Sequence, residues 1–281
     1  GELRLYQAVR EAVPVVDAAV CKLIRLSGGV KVLCDDLETQ TALRTFLERV
    51  NAGRGQHGIE AFLSQYLDSL LVYGGAVGEM VPAAGNRTLA ALLCGRLEQV
   101  ELREGESPLD FRICGPDEHG SMAELPYQEL LLFTPLHPEA GHPYGVSMLR
   151  GIPFMADILM KIYHTIGVNW ERCGNVRFAV TCRDGEGSAA QRGQVLAQEW
   201  SRAMQETRSG DVRDLVAVGD VDIRVIGADA PVLDSQVPVR QVMEQIVAKM
   251  GIPPFMLGLN WNSTERMSAQ QADMLTTEIT A

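Results

Sequence analysis

The residues best able to do chemistry are six cysteines, five histidines, one Gly-x-Ser and one glycine-rich hexapeptide, and none is set at a spacing that completes a site. Cys21, Cys34, Cys94, Cys114, Cys173 and Cys182 contain no Cys-x-x-Cys pair. They read as reduced, mostly buried thiols of a cytosolic protein. His137 and His142 share a Pro-rich loop without a cysteine or carboxylate at ligand spacing, and no His-Glu-x-x-His helix occurs, so no metal site is expected. Gly145-x-Ser147 lacks the second glycine of a nucleophile elbow. Residues 53–58, GRGQHG, match the letters of the dinucleotide fingerprint but follow a helical pattern where a strand is needed, so they read as a flexible connector. The Gly-rich run after Tyr73 has no Lys-Ser/Thr and runs helix to strand, the reverse of a phosphate loop. Asp220 and Asp222 share one strand face and suit acid–base or metal chemistry in principle, but with no third ligand nearby they read as a solvated strand edge. No catalytic residue and no cofactor is assigned.

The chain has 281 residues and a formal net charge of −11. A protein that grips nucleic acid through its phosphates needs the opposite sign, because affinity there comes from Lys and Arg displacing counterions. A surface past which DNA must slide is better acidic or neutral, since a basic lining would hold the polymer at every step. The charge fits either a protein that never meets DNA or one that lets it pass, and argues against a sequence-specific binder. No apolar run reaches the ~20 residues of a spanning helix, and no leader peptide opens the chain. It begins at Gly1 and stops inside a helical pattern, so a fragment of a longer protein is expected.

The element that must position everything else runs from Pro143 to Gly174. Ser147 is the expected N-cap and Pro153 falls early enough to be tolerated. Met155, Ile158, Leu159, Ile162, Ile166 and Trp170 then recur at helical spacing, with Asp157, Lys161, His164 and Glu171 mostly off that stripe. A helix this long reads as a strut. Beyond it come a strand (175–182), a helix (189–207), strands at 215–218 and 221–226, and a return helix from Gln236 to Met250 striped by Val239, Val242, Met243, Ile246, Val247 and Met250. Gly251-Ile252-Pro253-Pro254 breaks the return helix. A polar stretch of 257–267 follows, and a helix restarts at Ser268.

Ahead of the strut, a helix is expected from Arg4 to Leu26 with a kink at Pro14, then a brief alternation VKVLC, a helix over Leu37–Asn51, a loop over Gly53–Gly58 and a helix over Ile59–Val72. Residues 89–136 hold the short strands LAALLCG, QVELRE, DFRICG and ELLLFTPL between turns.

The Tyr-Gly-x-Ser that opens the strut, the small α/β insertion, the return helix and the closing Gly-Ile-Pro-Pro-x-x-x-Gly together resemble the portal proteins of tailed bacteriophages. So does the helix ending in Tyr73-Gly74 before an extended segment with an acidic residue. The resemblance implies an α+β portal-like fold with an α/β wing at 1–143, stem helices at 144–174 and 234–252, and a β-α-β-β clip at 175–233. Residues 253–281 would be a tunnel loop and the start of a long wing helix. It also implies a homo-oligomeric ring, usually dodecameric, at the capsid portal vertex of a virion assembled in the host cytoplasm. Double-stranded DNA would pass through it, with the terminase large subunit, head-tail adaptor, scaffold and major capsid protein as partners and no membrane. Asn260, Trp261, Asn262, Ser263, Thr264, Glu265, Arg266 and Met267 would then line the narrowest part of the channel. Asp157, Lys161, His164 and Glu171 would face the channel or a neighbouring subunit. A different structural protein of phage origin and an uncatalogued soluble enzyme are the competing readings.

Overall fold

The computed structural model describes residues 1–85, 88–107, 110–174, 177–182, 194, 197–198, 201, 221–226, 234–259, 261 and 265–280. It contains two compact units, Gly1–Met160 with Val237–Ala281, and Lys161–Gln236. The boundary falls inside the strut helix.

The first unit opens with two helices where one kinked helix was expected: α1 (Glu2–Ala12) and α2 (Pro14–Ser27). Val13 between them is extended (φ −118°, ψ 95°), as the residue before a proline prefers, and Pro14 starts the second helix. Arg10 holds the pair together. Its Nε donates to Asp17 Oδ1 at 2.6 Å and its Nη1 to Asp68 Oδ1 at 2.6 Å. Burial pulls the guanidinium toward losing its proton, but the two carboxylates outweigh that and raise it above the usual arginine value.

Helix α3 (Leu37–Arg49) is capped by Asp36, whose carboxylate accepts from Thr39 N–H at 2.7 Å, and it ends two residues earlier than the spacing implied. The expected loop at 53–58 is a small hairpin, β1 (Asn51–Gly53) and β2 (Gln56–His57). Its reversal depends on positive φ at Gly55 (+71°), and Gly58 N–H closes it onto Val50 O at 2.8 Å. No nucleotide-binding geometry arises there, because a strand-to-helix phosphate turn needs a helix to follow a longer central strand.

Helix α4 (Ile59–Tyr73) ends at Gly74 in the left-handed conformation (φ +81°), and β3 (Gly75–Pro82) follows at once. With β4 (Leu89–Cys94) and β8 (Leu131–Pro135) it builds a five-stranded sheet in the order β2-β1-β4-β3-β8. β5 (Glu101–Glu104), β6 (Phe111–Pro116) and β7 (Met122–Glu124) make a separate antiparallel sheet, with β7 unforeseen because its three residues carry no alternation. Gln128 extends that sheet by side chain, accepting from Ile113 N–H and donating to Ile113 O, each at 2.8 Å.

The main core is helical. Tyr6, Val16, Val20 and Val72 pack with Ile152, Ala156 and Leu159 of α5 (Ile152–Gly174) and with Ile246 and Met250 of α6 (Gln236–Met250). Both struts are therefore rooted in one core by their near ends. After α6, Pro254–Leu257 forms a 3₁₀ turn ended by left-handed Gly258, and α7 (Glu265–Thr280) sets Leu275 into the core.

In the second unit β9 (Arg177–Cys182) and β10 (Val221–Ile226) pair antiparallel, Val221 opposite Cys182 and Ile226 opposite Arg177. Gln194, Ala197, Gln198 and Ser201 are helical and exposed, within the span expected to be a helix. The strand expected at 215–218 and Asp220 lie outside the described residues, while Asp222 stands opposite Thr181.

Candidate functional site: the strut and its footing

The Tyr-Gly at the end of α4 and the Tyr-Gly-x-Ser ahead of α5 meet in space. A β-carbon on Gly145 would stand 2.0 Å from Gly74 O and 2.2 Å from Leu136 N. One on Gly74 would stand 2.4 Å from Ser147 N. Only two glycines allow these backbones to touch. The contact is hydrogen-bonded throughout: Leu136 N–H to Gly74 O at 2.8 Å, Val146 N–H to Leu136 O at 2.7 Å, Met148 N–H to Leu71 O at 3.1 Å.

Ser147 is the buried polar residue of this footing. Its Oγ donates to Val72 O at 2.6 Å and accepts from Leu149 N–H at 3.0 Å. It does not cap α5 directly as expected. It caps the turn at 147–150, and α5 starts after Gly151, whose φ of +90° redirects the chain. A serine this buried, with its proton committed to a carbonyl, is a tether and not a nucleophile. The cleft beside it, about 510 Å³, is walled by Tyr6, Tyr73 and Tyr144. Its polar groups are largely committed to one another: Tyr6 donates to Glu2, and Arg150 Nη1 pairs with Glu139 at 2.5 Å. Burial, then the Glu2 contact, pushes the Tyr6 phenol up to about 12. Glu2, Tyr6, Glu139 and Arg150 thus carry structure at this cleft.

From this footing α5 runs 23 residues, about 35 Å at ~1.5 Å per residue. Asp157, Lys161, His164 and Glu171 are all exposed, and at ~100° per residue they share an arc of roughly 80°. The helix thus carries them as one polar face. On the other side Ile152, Ala156 and Leu159 are buried at 1%, 5% and 1% exposure. The same arc continues upward through Ile162, Tyr163, Ile166 and Trp170, where Tyr163 is 45% and Trp170 67% exposed. The apolar arc outlasts its cover. Exposed Phe154 and Met160 instead flank the polar arc, and exposed Val168 lies within it.

The expected channel residues are divided. Asn260, Asn262, Ser263 and Thr264 lie outside the described residues. Trp261 is half-buried in a bend. Glu265, Arg266 and Met267 form the first turn of α7, three residues ahead of the expected restart at Ser268, so the irregular stretch is shorter than the composition implied. An acidic residue in the first helical turn favours this earlier start. Sequence reasoning also missed the Arg10–Asp17–Asp68 cluster, since Arg10 and Asp68 stand 58 positions apart and nothing in their spacing links them. Of the four cysteines whose side chains are described, only Cys114 is buried; Cys21, Cys34 and Cys94 are intermediate, and burial still pushes the Cys94 thiol up to about 11. Among the described residues no helix is long and apolar enough to cross a membrane, and no group of three metal-ligating side chains converges.

No protein-family model and no curated protein matches this sequence. Solved structures do match its fold. A chain in the neck of the native gene transfer agent particle, computed with C12 symmetry, is similar at a TM-score of 0.69 and 15% identity, covering 95% of this chain and 73% of that one. A chain in the virion of the native gene transfer agent particle gives 0.68 and 17%, with the same coverage of 95% and 73%. The crystal structure of an HK97 family phage portal protein from Corynebacterium diphtheriae gives 0.53 and 10%, covering 96% of this chain and 84% of that one.

Proposed function

We propose, from the phage portal fold that these residues adopt, that the chain is the portal protein of a phage or phage-derived particle. Copies form a ring at one capsid vertex, and DNA passes through its centre during packaging and ejection. The observation that carries this reading is the match of 95% of the chain to a subunit of a particle neck computed with C12 symmetry. The uncovered apolar arc of α5 supports it, because a strut whose stripe continues past its own core gains cover from the next copy in a ring.

In this reading residues 1–143 are the wing, 144–174 and 234–252 the stem, 175–233 the clip, and 253–281 the tunnel loop with the start of a wing helix. The ring is dodecameric. The clip is the docking rim for the terminase large subunit and later the head-tail adaptor, while the outer surface meets scaffold and major capsid protein. The ring assembles in the host bacterial cytoplasm and resides in the virion. The work done is mechanical: the motor hydrolyses ATP, and the portal contributes surfaces and no catalytic residue. A net charge of −11 suits a conduit, since unneutralised phosphates stay mobile past an acidic lining.

Native mass spectrometry with negative-stain microscopy tests the reading. The expected particle is a closed ring of about twelve subunits with a central hole. A monomer at every concentration and salt, in the longest soluble form of the protein, defeats it.

A further inference from the structure

The densest run of exposed apolar side chains lies away from the strut, between α2 and α3. Val30, Val32, Leu33 and Leu37 are all exposed, Leu33 at 82% and Leu37 at 78%. The backbone there is unused: among the described residues, none of residues 29–35 makes a backbone hydrogen bond. A segment without secondary structure whose N–H and C=O groups are unused can pair as an added strand with another sheet. Paired in that way, Lys31 and Leu33 share one face. Lys31 is exposed and makes no ion pair among the described residues.

A receptor with matching chemistry exists in the same unit. A groove of about 880 Å³ is lined by Leu89, Leu125, Leu130, Leu131 and Tyr127, the last 70% exposed. Tyr127 is held in the left-handed region (φ +56°), uncommon for a bulky residue. Glu79 and Glu129 also line the groove, both exposed and without an ion pair among the described residues. Residues 30–33 share a cleft with His57 of edge strand β2, whereas the groove is lined from β3 (Glu79, Pro82), β4 (Leu89) and edge strand β8 (Leu131). Two different but complementary patches are what head-to-tail repetition around an axis requires.

We propose that residues 30–34 of one copy seat in the Tyr127 groove of the next copy. Leu33 packs on the leucines of the groove, and Lys31 lies between Glu79 and Glu129. This rests on the ring reading above and adds to it a contact between wings, independent of the struts.

The test is charge exchange in the full chain, followed by sedimentation and negative stain. Lys31→Glu alone, or Glu79→Lys with Glu129→Lys, should weaken ring association by about tenfold or more. The combined Lys31→Glu, Glu79→Lys, Glu129→Lys chain should recover it, and circular dichroism should match the parent throughout, since all three side chains are exposed. Amides of residues 30–34 should exchange fast in the monomer and slowly in the ring. Rings that tolerate the single reversals, or a combined chain that fails to recover, overturn this contact while leaving the ring reading intact. Protection of these amides already in the monomer overturns it too, because the chain's own backbone then covers the segment. A parent chain that never forms rings removes both.

Discussion

A β-carbon at position 145 has nowhere to go, with Gly74 O at 2.0 Å and both Leu136 N and Leu136 O within 2.6 Å. Gly145→Ala should therefore cost about 4 kcal/mol or more, the range reached by severe buried clashes. A shift in denaturant midpoint measures it, and a loss under ~1 kcal/mol would show that the two backbones can separate cheaply. Ser147→Ala is a different lesion. It leaves Val72 O and Leu149 N–H buried without their partner, which should cost about 2 kcal/mol. Restoring a hydroxyl with Ser147→Thr should recover part of that if the added methyl fits. The sequence marks Gly74, Gly145 and Ser147 as turn and cap residues, and that much is legible from type alone. That they belong to one contact is not legible, because Ser147 and Val72 are 75 positions apart.

At the scale of the element, α5 behaves as two helices in series. Its foot is packed by Ile152, Ala156 and Leu159, while the same arc higher up presents Tyr163 and Trp170 to solvent. Trp170→Ser should change monomer stability by no more than about 0.5 kcal/mol, as exposed substitutions do. Under the ring reading it should nonetheless lower the proportion of closed rings seen by negative stain. Unchanged assembly would assign the exposed stripe to some other cover. The strut, its return helix and α4 were legible because a 3.6-residue stripe survives in the sequence. The α1–α2 break and the β1–β2 hairpin were less so. Each hinges on one or two backbone angles, at Val13 and Gly55, which hydrophobic spacing does not encode.

For the whole molecule, under the ring reading, the deciding quantity is the charge that DNA would meet. If the polar arc of α5 borders the channel, Asp157→Lys with Glu171→Lys turns an arc of two carboxylates and one lysine into one of three lysines that binds phosphate. Rings should still form, while DNA translocation in a reconstituted packaging reaction should slow several-fold at low salt and recover as salt rises. A translocation rate equal to the parent's at low salt would take that face out of the channel.

The amino-acid sequence alone determined the long helices, the strut with its polar and apolar sides, and the net acidic charge. These are local or additive properties, carried by periodicity and composition. Tertiary structure decided which segments touch: that two Tyr-Gly turns interlock at the foot of the strut, that Arg10 bridges α1, α2 and α4, and that the strut's stripe outruns its core. Those depend on distances between residues far apart in the chain, and only packing sets such distances.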